Sequence, residues 1–215
     1  EQLLSKMAGT KVEVQGSGRT DAGVHALGQV ANFHVDTDKT PEQIMEYMNF
    51  YLPEDIAVVA IKEVAERFHS RLNAKGKTYC YRVINSGIPH VFDRRYVHVV
   101  ETPLDIPAMQ KAAQYFLGTH DFKAFTSTKK SKKSTVRTIH NITIEQVQSA
   151  EIRFTFTGDG FLYHMVRIMT GTLLEVGLHE RAPEEIEAIL KTGRREAAGA
   201  LAPAKGLTLM EVFYS

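Results

Sequence analysis

Residues 16–25 carry the most chemically capable side chains of this chain. They read Gly-Ser-Gly-Arg-Thr-Asp-Ala-Gly-Val-His, so a guanidinium, a hydroxyl, a carboxylate and an imidazole occur within residues 19–25. The three glycines permit backbone angles and close approaches that other residues resist. In such a loop the carboxylate of Asp21 could attack an electrophilic carbon or accept a proton. The segment is therefore a candidate catalytic loop.

Several familiar site patterns do not fit this segment. A dinucleotide-binding fingerprint needs a third glycine where Asp21 stands, and a phosphate-binding P-loop needs Lys-Ser or Lys-Thr where Val24 and His25 stand. The chain also has no Gly-x-Ser-x-Gly nucleophile elbow. On residue types alone, a hairpin turn in which Asp21 caps neighbouring amides is the more common arrangement for a Gly/Asp loop. Both interpretations stay open at this point.

A basic run at residues 123–140 is the second distinctive feature. It contains five lysines, one arginine and one histidine, and no acidic residue. Its simplest interpretation is a flexible, solvated loop. The same run could bind phosphates if the partner were a nucleic acid. Acidic residues cluster elsewhere, at Glu180, Glu184, Glu185 and Glu187.

Periodicity predicts the elements that must position these features. The polar segment lies between predicted strands at 11–15 and 29–35. Further strands are predicted at 56–64, 75–84, 96–100, 135–147, 151–157 and 207–214, and helices at 41–52, 105–117, 163–176 and 183–190. Strands and helices mix in two similar halves, 1–102 and 103–215. This order predicts an α+β fold with largely antiparallel sheets.

The composition is that of a globular protein: 215 residues, 43% hydrophobic, with 26 basic and 25 acidic side chains and a net charge of +1. Intrinsic disorder is disfavoured, and no run approaches the ~20 apolar residues of a membrane helix. The single cysteine, Cys80, excludes an intramolecular disulfide, and no leader-like stretch opens the chain. We therefore expect a cytoplasmic protein without a membrane contact. The small net charge does not exclude a nucleic-acid partner, because it sums the basic run and the acidic cluster.

Five sequence blocks follow one another in a specific order. The most distinctive is Gly-Arg-Thr-Asp-Ala-Gly-Val-His-Ala at 18–26, followed by Gln29 and Val30. The others are Leu-Pro-Glu-Asp-Ile at 52–56, Phe-His-Ser-Arg at 68–71, Phe-Leu-Tyr-His-Met-Val-Arg at 161–167 with Gly-Thr-Leu-Leu-Glu-Val-Gly at 171–177, and Ala-Lys-Gly-Leu at 204–207. Together they resemble the tRNA pseudouridine synthases of the TruA family, and the resemblance covers nearly the whole chain.

The resemblance implies an isomerase that converts uridine to pseudouridine in the anticodon stem-loop of tRNA, at its positions 38, 39 and 40. It also implies two ferredoxin-like halves that form a continuous antiparallel sheet flanked by helices, and a homodimer. The family has a first strand before the point where this chain begins. Residues 1–8 resemble the end of a helix, so we expect the N-terminal strand to be missing from this sequence.

The resemblance also assigns roles to individual residues. It makes Asp21 the catalytic residue and Arg167 its ion-pair partner, whereas an arginine on an apolar helix otherwise tends to extend to solvent. It places Arg19 where it would hold or replace the flipped-out nucleotide. It places Tyr79 where it would stack on the base, although a strand tyrosine is otherwise usually a core residue. His164 is expected to pack or to lie at the edge of the RNA.

With tRNA as the partner, the basic run is predicted to contact phosphates through Lys129, Lys130, Lys132, Lys133 and Arg137. The reaction needs no cofactor, and the nine histidines show no metal-ligand spacing, so we expect neither cofactor nor metal. Two alternatives remain. An RNA-binding module without catalysis is disfavoured by the presence of Arg19, Asp21 and Tyr79, and a nucleotide-binding hydrolase by the absent Lys-Ser or Lys-Thr.

Overall fold

The computed structural model describes residues 1–128, 133–147 and 150–215. Its helices are α1 (Gln2–Ala8), α2 (Pro41–Tyr51), α3 (Ile106–Gln114), α4 (Met165–Gly177) and α5 (Glu185–Thr192), with short 3-10 helices at Lys123–Phe125, Arg195–Ala197 and Ala204–Gly206. Its strands are β1 (Val14–Gly16), β2 (His25–Ala26), β3 (Ala31–Phe33), β4 (Gly76–Asn85), β5 (His98–Val100), β6 (Gly118–Asp121), β7 (Val136–Gln146), β8 (Glu151–Gly158) and β9 (Leu207–Phe213). The predicted α+β class is confirmed.

The described residues divide into two compact units. The first comprises residues 1–19 and 30–73, and the second comprises residues 20–29 and 74–215. The units interleave along the chain because most of the polar segment belongs to the second unit. The predicted halves, 1–102 and 103–215, have different boundaries from these units, and that division stays a prediction.

The first unit contains α1, α2 and a two-stranded antiparallel sheet of β1 and β3. Leu4, Val12 and Ile44 form its buried core. Helix α2 begins after Thr40, whose hydroxyl accepts a hydrogen bond from the Gln43 backbone while the Gln43 side chain accepts one from the Thr40 N–H. This capping box satisfies two of the donors that a helix start leaves unpaired. The predicted helix at 41–52 is confirmed.

The strand predicted at 56–64 is wrong. The backbone N–H of Val58 donates to Asn49 Oδ1 at 2.7 Å, and the Asn49 amide donates to the Val58 carbonyl at 2.8 Å. A side chain from α2 thus occupies both backbone groups that a neighbouring strand would have paired. Val59 is 83% exposed. Its β-branched side chain favours extended backbone, but it does not supply a strand partner.

The second unit contains a seven-stranded sheet in the order β2-β9-β4-β8-β7-β6, with β5 also paired to β4. The long pairs β4–β8, β4–β9 and β7–β8 are antiparallel, as predicted, whereas β2–β9 and β4–β5 are parallel. The described strands therefore lie in two sheets, while the resemblance implied one continuous antiparallel sheet. The smaller sheet consists of β1 and β3, each three residues long, paired with each other.

Helix α4 packs into the core of the second unit, against α3 and the large side chains of β4, β7 and β8. Nearly every α4 residue is buried, which explains why its sequence is apolar on all sides. Gly171 lies so close to the neighbouring chain that a Cβ there would be 1.8 Å from the Ala200 carbonyl oxygen. The segment at 200–202 therefore runs directly along α4. None of the helices in the described ranges is long and apolar enough to cross a membrane.

Candidate active site

Asp21 lies in a tight turn that the sheet of the second unit holds in place. Its carbonyl accepts a hydrogen bond from the Val24 N–H at 3.0 Å. Gly23 completes the turn at a φ of 81°, a left-handed value that glycine adopts without strain. Immediately afterwards β2 pairs in parallel with β9, with His25 opposite Thr208. The segment that carries Asp21 is thus tied to a central strand of the sheet.

Arg167 forms an ion pair with Asp21. Its Nη1 lies 2.9 Å from Asp21 Oδ2, and its Nε donates to the Ala202 carbonyl at 2.8 Å. The side chains are only 11% and 23% exposed, respectively, so this arginine points into the protein rather than to solvent. A charge-assisted hydrogen bond with little solvent is stronger than a surface ion pair. Helix α4 and the 200–202 segment together aim the guanidinium at the carboxylate.

His164 is a contact of Asp21 to which the sequence assigned only packing or a position at the RNA edge. Its Nε2 lies 3.1 Å from Asp21 Oδ2, and its Nδ1 lies 2.8 Å from Ser127 Oγ. Burial lowers the pKa of His164, nearby Asp21 opposes this shift, and Arg167 adds to it, so the imidazole is neutral at pH 7. The signal in the sequence is its position three residues before Arg167 in the predicted helix at 163–176, since residues three apart share a face of a helix.

Tyr79 and Tyr81 alternate with Cys80 along β4 but have different surroundings. Tyr81 is fully buried, and its hydroxyl donates to the Pro203 carbonyl at 2.8 Å. Tyr79 is partly buried and contacts the Phe161 ring edge-on, with the ring centroids 5.1 Å apart. Burial and the nearby Asp21 carboxylate raise the pKa of Tyr79 to about 12, so it is a neutral phenol at pH 7. Of the two tyrosines, Tyr79 is the one whose pKa the Asp21 carboxylate raises.

The roles of the remaining predicted contact residues stay predictions. Arg19 is exposed and belongs to the first unit. Lys129, Lys130 and Lys132 lie outside the described residues. Lys133 is exposed, and Arg137 lies on β7 with its Nη1 donating to the backbone carbonyls of Ser134 and Val136 at 3.1 and 2.5 Å. The phosphate-binding role of the basic run therefore stays a prediction.

The assembled groups are a carboxylate, a guanidinium, a neutral imidazole and a neutral phenol. A partly buried carboxylate of this kind can act as a nucleophile or as a general base. Arg167 compensates the negative charge of the Asp21 carboxylate, which water solvates only in part. Among the residues that the structure describes, no group of three or more histidine, cysteine or acidic side chains could hold a metal ion. Asp21 is therefore the candidate for chemistry at this site.

The chain is similar to known proteins over most of its length. A family model described as tRNA pseudouridine synthase matches residues 1–73 and 112–215. A tRNA pseudouridine synthase A of Bacillus sp. (strain KSM-64) is 52% identical over 209 residues, which are 97% of this chain and 85% of the relative. A tRNA pseudouridine synthase A of Acetivibrio thermocellus is 45% identical over 214 residues, covering 100% of this chain and 87% of the relative. A chain in the crystal structure of a Cbf5-Nop10-Gar1 complex can be superposed on this chain with a TM-score of 0.38 and 11% identity. The match covers 97% of this chain and 43% of that chain.

Proposed function

Because this chain belongs to the tRNA pseudouridine synthase family, we propose that it isomerises uridine to pseudouridine in the anticodon stem-loop of tRNA and that Asp21 is its catalytic residue. The observation that carries this proposal is the Asp21 carboxylate, which is tied to the sheet and paired with the inward-pointing Arg167 at 2.9 Å. The family accounts for an isomerase acting on tRNA. The proposal concerns which residues of the protein act and which uridines of the tRNA are modified.

The reaction needs one well-placed carboxylate and a mobile base. The bond from N1 of the uracil to C1′ breaks, the base turns, and C5 bonds to C1′. The C5 hydrogen leaves as a proton and N1 takes up a proton, so the product is an isomer of uridine. Asp21 can take part by attacking C1′, by adding to C6 of the uracil or by removing the 2′ hydrogen. A base inside a stacked stem cannot turn in place, so the nucleotide must flip out of the stem.

Other residues supply the contacts that compensate for the free energy lost when the nucleotide flips out of the stem. Tyr79, whose pKa is raised in part by Asp21, stacks on the extruded base in this proposal. Arg19 holds the flipped nucleotide or fills the space that it leaves. Lys133 and Arg137, with the lysines at 129, 130 and 132, contact phosphates and make binding dependent on salt. Recognition of the tRNA is mainly by shape. The homodimer that the resemblance implies belongs to the same proposal.

The direct test is release of tritium from tRNA labelled at C5 of uridine. We expect the purified protein to release one tritium for each pseudouridine formed, because C5 must exchange its hydrogen for C1′. Mapping the pseudouridines on a single tRNA should place them in the anticodon arm. Binding of tRNA without release would instead support an RNA-binding module, and hydrolysis of free nucleotides would support a hydrolase; either result contradicts the proposal.

Tyr79→Ala should lower turnover about 10–100-fold, since stacking of a base on an aromatic ring contributes about 1–3 kcal/mol. Tyr79→Phe keeps the ring and should remain within about tenfold of the wild type. Tyr81→Phe is the matched control, because it removes only the hydroxyl that bonds to the Pro203 carbonyl. Single-turnover rates on one tRNA measure all three variants.

Equal losses for Tyr79→Ala and Tyr81→Phe would mean that neither tyrosine acts on the base and that both losses come from packing. Thermal unfolding of each variant separates this outcome from a specific role. The loss of turnover in Tyr79→Ala should persist at a temperature at which every variant is fully folded.

A further inference from the structure

The two donors that reach the Asp21 carboxylate share one of its oxygens. Arg167 Nη1 lies 2.9 Å from Oδ2, and His164 Nε2 lies 3.1 Å from the same atom. In the described part of the chain, Oδ1 accepts no hydrogen bond. These two contacts therefore hold the carboxylate through one of its two oxygens.

Arg167 alone does not fix the orientation of this carboxylate. A guanidinium that bonds both oxygens of a carboxylate prevents its rotation. The hydrogen bond from Arg167 to Asp21 joins only Nη1 and Oδ2, and the Arg167 Nε donates to the Ala202 carbonyl at 2.8 Å. One donor on one oxygen leaves the carboxylate able to turn about its bond to Cβ. A second donor on Oδ2 from another direction removes that freedom.

His164 is itself held rigidly by its surroundings. It has a φ of 66°, a left-handed value that is strained for a residue with a Cβ, and it directly precedes α4. Its Nδ1 lies 2.8 Å from Ser127 Oγ, and its ring stacks on Tyr163 with the centroids 3.7 Å apart. The Tyr163 carbonyl in turn accepts hydrogen bonds from Thr126 Oγ1 at 3.0 Å and from the Ser127 N–H at 3.3 Å. Strained backbone of this kind persists where neighbouring contacts impose it.

We propose that His164 is a positioning residue of the active site: it donates its Nε2–H to Asp21 Oδ2 and, together with Arg167, turns Oδ1 toward the reacting nucleotide. This inference rests on the proposed role of Asp21. The proton count is consistent, because a neutral imidazole has one N–H, on Nε2 here, and the Ser127 hydroxyl donates to Nδ1. The burial of the ring keeps it in this neutral form at pH 7.

Three substitutions at His164 test the proposal through kcat. His164→Ala removes the donor and should lower kcat about 10–100-fold, because a misplaced reacting group loses rate on this scale, while KM for tRNA stays within about threefold. His164→Gln places an amide N–H where Nε2 lies and should recover kcat to within about fivefold of the wild type. Asparagine tolerates the left-handed backbone at this position, but its side chain ends where Nδ1 of His164 lies. The His164→Asn variant should therefore behave like His164→Ala.

The outcomes distinguish this inference from the proposed function. A wild-type protein that forms no pseudouridine would overturn the proposed function itself. An active wild type together with an unchanged kcat in His164→Ala, or with equal rates for His164→Gln and His164→Asn, would overturn only the role of His164. If His164→Ala does not fold, the comparison of Gln with Asn carries the test, since a purely structural role predicts that the left-handed-tolerant Asn is the better replacement.

Discussion

Asp21→Asn should lower the rate of pseudouridine formation by at least about a thousandfold while the protein still folds and binds tRNA. The amide has nearly the shape of the carboxylate, so Arg167 and His164 keep an oxygen acceptor in place. It has no negative charge, however, and it is neither a nucleophile nor a base of comparable strength. The loss should therefore appear in kcat, with the Kd for tRNA within about threefold of the wild type. Single-turnover tritium release and filter binding measure the two quantities.

Glu175→Gln is the matched control for this variant. Like Asp21, Glu175 has a side chain that is 23% exposed, and it lies 2.9 Å from an arginine, Arg181. Its replacement should leave the rate within about threefold of the wild type. The Asp21→Asn preparation must first be shown to contain no deamidated protein. If it then retains a tenth or more of the wild-type rate, Asp21 is not the catalytic residue.

Arg167→Gln should lower kcat about 100-fold or more and also lower the thermal stability. The glutamine cannot supply the charge beside Asp21 and cannot reach both Asp21 and the Ala202 carbonyl. A hydrogen bond between charged groups contributes about 2 kcal/mol, which corresponds to a Tm lower by about 4–8 °C for a chain of this size. Arg167→Lys keeps the charge but makes one contact in place of two, so its rate should be intermediate.

Arg181→Gln separates the catalytic loss from the loss of stability. Arg181 is similarly shielded, at 18% exposure, and its ion pair with Glu175 also measures 2.9 Å. We expect a comparable decrease of Tm with little change in kcat. If Arg181→Gln and Arg167→Gln reduce kcat equally when each is assayed well below its Tm, then Arg167 contributes only to folding and its proposed role at Asp21 is wrong.

Local sequence patterns were sufficient for most of the elements. Helix α3 follows from its apolar spacing and from Asp105, whose side chain caps the Ala108 N–H at 2.9 Å. The long strands β7 and β8 follow from alternating residues. Patterns of this kind depend on residues that are only a few positions apart in the chain. The elements that they predict are therefore present in the folded protein.

Elements that depend on a distant partner were predicted less well. Residues 56–64 have strand-forming side chains, yet Asn49 takes the Val58 backbone groups. Strand β6 was not predicted, because Gly118–Asp121 is short and polar and is extended only by its pairing with β7. The parallel pairing of β2 with β9 joins segments at opposite ends of the chain, and nothing in the two residues of β2 specifies it.

By itself, the sequence determined the α+β class, most helices and long strands, and the polar segment that contains Asp21. The family resemblance paired Arg167 with Asp21, 146 residues apart, and the tertiary structure shows this contact. Tertiary structure alone decided that His164 reaches the same carboxylate oxygen and that Tyr81 is fully buried whereas Tyr79 is only partly buried. The physical reason is that periodicity assigns a side chain to a face of its own element. What covers that face depends on packing between elements that are distant in the chain.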